Sequence, residues 1–371
     1  VKKSSSNSYA VIGLGFGDEG KGVTVNSLAQ SLENPLVIRY SGGQQAGHTV
    51  TLPDGTSHVF ANFGSGTLQG VPTYWSKYCT FDPVGVVKEL DILRQKGIQP
   101  ILYVDATSPV TTPYDKYYNQ NSKAMEHGTC GAGVGATFER EENFYSLLVG
   151  DILWESVLDI KQKSIQDYYS KSPREAIANQ SISVGEFMEC CEIIRNSNDI
   201  YIIDDDDENR LFDNFIFESS QGLLLDQNTG FFPHVTRSNL GSKNILEMGF
   251  KPHLFLVTRA YQTRHGNGPM TNTDIPHNIK VNPLETNVLN KFQGEFKRSL
   301  LDLDLLRYGI EKDNYIRTTD KKELVVTCLD LIEGDYRYTI DSGIMEHSNK
   351  EDFVRGIADY LGIERVHMIS S

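Results

Sequence analysis

The sequence predicts an α/β fold with a mostly parallel central sheet, flanking helices and a P-loop-like nucleotide-binding architecture. Three observations carry this. Apolar runs that read as buried strands alternate with stretches of helical periodicity. The first run passes through a glycine-rich turn, "GLGFGDEG" (13–20), straight into a helical pattern. Polar clusters then follow the apolar runs, and ligands of parallel sheets gather at the carboxyl ends of strands.

In chain order, "YAVIGLG" (9–15) is a strand and "KGVTVNSLAQSL" (21–32) a helix. "PLVIRYSGG" (35–43) is the next buried strand, 83–96 a helix, and "ILYVDA" (101–106) another strand. Residues 151–200 are helical and polar, with "CC" (190–191) as packing residues of a helix. "DDDDENR" (204–210) reads as a solvated loop, because its spacing does not fit a calcium-binding loop. "FIFESSQG" (215–222), "HLFLVTRA" (253–260) and "ELVVTCLDL" (323–331) are strands, and 299–310 is helical. The expected organisation is one domain over 1–371, with a polar arm at 1–8 and a helical, acidic insertion at 151–212.

The 371 residues are 39% hydrophobic and 23% charged, the balance of a soluble globular protein with ample core. The net charge of −14 argues against nucleic-acid and membrane-surface binding, so an anionic ligand needs a local site. Five cysteines, at 79, 130, 190, 191 and 328, form neither a disulfide framework nor a zinc spacing. No apolar run reaches 18 residues and no signal peptide precedes the first strand, so a cytoplasmic location is expected.

The first candidate site is the turn itself. Gly15, four residues, Gly20 and Lys21 read as a phosphate cradle, but Gly22 stands where a P-loop places Ser or Thr. Asp18 and Glu19 put negative charge where an anion should bind. A carboxylate at 18 is reconciled with phosphate if Mg²⁺ lies between them, and it can also take a proton from a substrate. The second is "RYSGGQQAGHTV" (39–50), in which His48 can stabilise charge on a phosphoryl group or carbonyl oxygen. The third is "HGTCGAGVGATFER" (127–140). "FESSQGLLLDQNTGFFPHVTRSN" (217–239) and "TRAYQTRHGNGPM" (258–270) follow, the latter with Arg259 and Arg264 able to pair with carboxylate or phosphate. "FQGEFKRSLLDLD" (292–304) carries Lys297 and Arg298. "VVTCLD" (325–330) ends a strand in T-x-x-D, similar to the guanine-reading motif of GTP-binding proteins, with Cys328 at the Lys position.

Together and in this order, "GDEGKG" (17–22), "GGQQAGHT" (42–49), "FESSQGLLLD" (217–226), "PHVTRSN" (233–239), "TRAYQTRHGNGP" (258–269) and "TCLD" (327–330) resemble the adenylosuccinate synthetase family, over about residues 10–334. The resemblance implies a ligase that couples L-aspartate to C6 of a 6-oxopurine nucleotide through a 6-phosphoryl intermediate. It implies Asp18 as the base and Mg²⁺ ligand, His48 and Lys21 as further catalytic groups, and Gly47 as a second Mg²⁺ ligand. The purine monophosphate would be held by Gln45, Ala46, Thr129, Cys130, Gln221 and Thr236. The triphosphate would be held by Gly17, Glu19, Gly20, Lys21, Gly22, Gly47, His48, Thr49 and Asp330, and the aspartate by Lys297 and Arg298. A homodimer is also implied.

The sequence departs from the family in places. Cys328 replaces the Lys that packs on guanine, Gln45 the usual Asn and Ala132 the usual third-loop arginine. The family's intersubunit arginine has no clear match around 140–145, and the terminal segment that helps bind guanine has no counterpart before residue 371. These features resemble the compact phage branch, the 2-aminoadenylosuccinate synthetases, which act on dGMP with ATP. Adenylosuccinate synthesis from IMP with GTP is the alternative. A P-loop nucleotide switch, from another class, would need Ser or Thr at 22 and Lys at 328.

Overall fold

The computed structural model describes residues 7–121, 129–171, 182–204, 211–282 and 296–369. The first strand, β1 (Asn7–Gly13), is apolar where it is buried and lies in the interior of a nine-stranded sheet. The polar arm therefore joins the sheet at residue 7, two residues earlier than the sequence suggests; residues 1–6 lie outside the described ones. α1 (Lys21–Ser31) follows the glycine turn, and β2 (Pro35–Arg39) returns parallel to β8 (Asn214–Gly222), which pairs with β1. β9 (His253–Arg259), β12 (Lys322–Thr327) and β15 (Arg365–Ile369) extend the sheet on one side of β1. β5 (Thr73–Trp75), β6 (Leu102–Asp105) and β7 (Ile200–Ile203) extend it on the other. Every pairing in this sheet is parallel, so the carboxyl ends of all its strands open on one edge.

Three smaller pieces complete the site. β3 (His48–Thr51) and β4 (Ser57–Phe60) form a hairpin. β10 (Tyr261–His265), β11 (Phe296–Asp302), β13 (Tyr336–Ile340) and β14 (Gly343–His347) form a second sheet. α4 (Val134–Glu142) begins at Gly133 with no acidic residue in its first turn. Two large apolar clusters fill the body. One lies around Ile12, Phe217, Leu256 and Ile357, the other around Trp75, Leu90, Val104 and Cys191.

Two expectations need correction. Residues 299–302 are strand, not helix: they finish β11, and α8 (Leu303–Lys312) starts only after Asp302, whose carboxylate accepts from the amides of Asp304 and Leu305. The stretch 151–212 is more than a helical insertion. α5 (Glu155–Tyr169) and α6 (Gly185–Arg195) bury Leu158, Ile165 and both cysteines, and β7 is an edge strand of the main sheet. Most of the acidic run, 205–210, lies outside the described residues.

Candidate active site

A cleft of about 610 Å³ opens at the carboxyl ends of the central strands. Its lining includes Gly17 and Asp18 from the turn after β1, Gln45, Ala46 and Gly47 from the loop after β2, His48 at the start of β3, Gln221 at the end of β8, and Thr129, Cys130 and Thr236. All the monophosphate-binding candidates and the proposed base thus converge in one place. Lys21, Glu19, Gly20, Gly22, Thr49, Asp330, Lys297 and Arg298 do not line it.

The turn after β1 is organised by its own acid. Glu19, 3% exposed, accepts from the amides of Gly15 (3.1 Å) and Gly17 (2.8 Å), and its other oxygen binds the Lys21 ammonium at 2.6 Å. Lys21, 2% exposed, is therefore a strut inside the turn and not a cation presented to the cleft. Glu19 neutralises a lysine that burial would otherwise strand, which is the physical use of that carboxylate. Gly20, at φ 91°, caps α1 without a side chain, so the first N–H groups of the helix keep no side-chain acceptor. Gly22 is dictated by packing. A Cβ there would lie 3.1 Å from both the His48 Cβ and the Thr49 carbonyl, because β3 crosses the first turn of α1. A P-loop serine or threonine would have to push these neighbours aside by a few tenths of an ångström.

Asp18 stands in the left-handed region at φ 61°, half-buried, and its backbone carbonyl accepts from Arg259 Nε. Arg259 also donates to the Tyr261 hydroxyl at 3.0 Å. Arg264 donates to the Pro269 (2.7 Å) and His234 (3.1 Å) carbonyls and stacks on Phe16 at 4.2 Å; burial pulls its pKa down to about 10. Both arginines brace the cleft wall through these contacts.

His48 is 7% exposed and faces acceptors on both ring nitrogens. Nδ1 lies 2.5 Å from Glu218 Oε1, and Nε2 lies 3.0 Å from the Ser220 carbonyl oxygen. A carboxylate and a carbonyl both accept, so a fully satisfied ring carries a proton on each nitrogen. Burial works against that and lowers the His48 pKa, while Glu218 resists the shift. Burial alone would raise the Glu218 carboxyl. His48, Arg39 and the Ser65 hydroxyl outweigh it and hold Glu218 down at about 2. Glu218 is therefore an anion fixed behind the imidazole, and it also accepts from the Ser65 amide at 3.0 Å. Glu218 was not singled out from sequence; its signal was a carboxylate inside an otherwise apolar strand, which requires a buried partner.

The aspartate-binding candidates separate. Lys297 Nζ reaches the Gly268 carbonyl (3.3 Å), in the loop that rims the cleft, whereas Arg298 donates to the Lys280 carbonyl at 3.0 Å. Successive strand residues leave opposite faces, so the two cannot clasp one carboxylate together. The 292–294 turn before them lies outside the described residues. Asp330 is exposed on the turn after β12, and Thr327 at that strand's end donates to the Glu19 carbonyl at 2.8 Å. That contact sets the T-x-x-D stretch directly behind the glycine turn.

Among the described residues no group of three His, Cys, Asp or Glu side chains forms a metal cage. Asp18 and the exposed Gly47 share the cleft and offer only hard oxygen donors. This fits Mg²⁺, which binds through one or two protein oxygens plus phosphate, and not a fully protein-caged ion.

Fold and site define an α/β protein with an acid and a buried histidine–carboxylate pair at one cleft. A model of the adenylosuccinate synthetase family matches residues 10–343. The adenylosuccinate synthetase of Thermoplasma volcanium is 27% identical, covering 94% of this chain and 82% of that protein. That of Halothermothrix orenii is 30% identical, covering 87% and 77%. The match to the Bordetella avium protein, 29% identical, spans 64% of its length. The chain belongs to the adenylosuccinate synthetase family, a family of carbon–nitrogen ligases. In fold it is similar to the fully ligated adenylosuccinate synthetase of Plasmodium falciparum, with TM-score 0.75 at 15% identity, covering 98% and 97% of the two chains. It is also similar to the succinoaminodeoxyadenylate synthetase of cyanophage S-2L, a structure bound to dGMP and dATP, with TM-score 0.61 at 14% identity, covering 98% and 91%. Among the described residues no helix is long and apolar enough to cross a membrane.

Proposed function

We propose that the protein joins L-aspartate to C6 of a 6-oxopurine nucleoside monophosphate, using a nucleoside triphosphate. The observation that carries this reading is the placement of Asp18 and the His48–Glu218 pair in one cleft with Gln45, Gln221 and Thr236. Asp18 takes the N1 proton of the purine, and electron density moves to O6. O6 attacks the γ-phosphorus, whose bond to the leaving diphosphate breaks. The aspartate amine then adds at C6 and gives up one proton, and the C6–O bond breaks, the phosphoryl group leaving with that proton as inorganic phosphate. His48, held by Glu218, donates a hydrogen bond to the oxygen as charge develops; this requires the Nε2 contact to exchange the Ser220 carbonyl for the ligand. General acid–base help is worth about 10²–10⁴-fold. Asp18 and Gly47 would hold Mg²⁺, which when bound would supply positive charge that screens the triphosphate.

Two readings of the nucleotides remain, each with its own support. Cys328 is buried and in the left-handed region at φ 58°, so no side-chain stem lies at that position to pack on guanine. This favours ATP as donor and, with it, dGMP as substrate. The names of the curated relatives favour IMP with GTP. A matrix of dGMP, GMP, IMP and dIMP against ATP and GTP, read as aspartate-dependent phosphate release, tests both. An optimum at dGMP with ATP establishes the first and one at IMP with GTP the second. Phosphate release indifferent to aspartate contradicts the ligase reading.

A further inference from the structure

We propose that Arg237 binds the phosphate of the monophosphate substrate from within the same chain, and that Glu142 holds it in reserve until the nucleotide arrives. This rests on the ligase reading above. Among the described residues lining the cleft, two are arginine and none is lysine. Arg264 is spent on the Pro269 and His234 carbonyls and on Phe16, and is 2% exposed. Arg237 is different. It follows Thr236, lines the same cleft as Gln45 and Thr129, and its one ion-pair partner among the described residues is Glu142 at the end of α4.

Both partners are exposed, 39% and 62% of their side chains, and such pairs are weak and easily exchanged. A phosphate offers the guanidinium two oxygens in its own plane and more charge than a solvated carboxylate. The start of α4, Val134 and Gly135, lines the cleft, and its first turn carries no acid. α4 thus presents its positive end to the cleft and carries the arginine's resting partner at the other. On a protein of net charge −14, an exposed guanidinium at this wall is the local cation that an anionic nucleotide needs. No arginine at 140–145 can take the task for a neighbouring copy: the sole candidate, Arg140, is fully buried and donates to Asp115 at 2.9 Å.

The test measures dGMP, IMP, their nucleosides and inorganic phosphate by calorimetry, and KM and kcat by phosphate release, for wild type, Arg237→Gln, Arg237→Lys and Glu142→Gln. The proposal expects Arg237→Gln to weaken monophosphate binding about tenfold or more, leaving nucleoside binding unchanged. Arg237→Lys should recover part of that loss, and Glu142→Gln should tighten monophosphate binding by removing the competitor. Equal monophosphate affinity in wild type and Arg237→Gln overturns the proposal. So does an equal weakening by Arg237→Gln and Glu142→Gln, which marks a structural ion pair. Wild type that binds monophosphate but lacks aspartate-dependent turnover sinks the ligase reading, while the calorimetric comparison still decides the role of Arg237.

Discussion

The loops after β1 and after β2 each lead into a buried acid–base pair, the first closed within its own turn and the second across the sheet. In the first, Lys21 and Glu19 are both almost fully enclosed, lie two residues apart, and line no part of the cleft. In the second, His48 and Glu218 come from segments 170 residues apart, and the histidine faces the cleft. Pairing within a turn builds the turn. Pairing across the sheet leaves one partner's ring at the reaction space and fixes its orientation from behind. The glycine turn thus supplies backbone geometry and one candidate acid that lines the cleft, Asp18, while the second loop supplies a histidine held by a buried carboxylate.

That contrast can be broken by substitution. Asp18→Asn should keep nucleotide binding and lose turnover by about 10²–10⁴-fold, the range of a general base; steady-state kinetics with a nucleotide-binding measurement checks it. His48→Asn should lower kcat by roughly 10²-fold or more while the melting temperature moves little, which is the signature of electrostatic help at a developing charge.

Lys21→Met should behave in the opposite way. It leaves Glu19 buried without its cation, so stability should fall by about 3–5 kcal/mol in urea titrations. The double variant Lys21→Met with Glu19→Gln should regain part of that. A Lys21→Met protein of full stability with abolished turnover would overturn the distinction between the loops. Gly22→Ser should cost about 1–3 kcal/mol by overpacking against β3, and adding the P-loop hydroxyl should bring no gain in triphosphate affinity.

Acid sensitivity gives a smaller effect. The folded pKa values of Glu218 and His48 both lie below their unfolded values, so the unfolded chain binds protons first as pH falls. Their contribution is complete above about pH 6.5 and is lost on acidification, with the Glu218 share disappearing between about pH 4.5 and pH 2. Glu218→Gln should flatten that part of the stability profile.

Much of this was legible in the sequence, for local reasons. Asp18, His48, Gln45 and Gln221 sit in contiguous glycine-rich motifs directly after apolar strands, and a parallel sheet brings such strand ends together. Glu218 lies in one of those motifs too, but its partner is remote and no spacing reveals it. A lysine after Gly20 suits a phosphate cradle, and only packing shows that Glu19 pairs with Lys21. "SLLDLDLL" (299–306) fits strand and helix periods alike; the cap at Asp302 decides where one ends and the other begins. Arg237 lies in the 233–239 motif, but its pairing with Glu142 depends on α4 ending beside it, which no spacing reveals.

The most direct test follows one oxygen. The 6-oxopurine substrate is prepared with ¹⁸O at position 6 and converted with triphosphate, Mg²⁺ and aspartate, and the released phosphate is examined by mass spectrometry. The account predicts the label in inorganic phosphate, with phosphate release dependent on aspartate. Product formation with the label released as water would contradict it, because the purine oxygen would then have left without being phosphorylated.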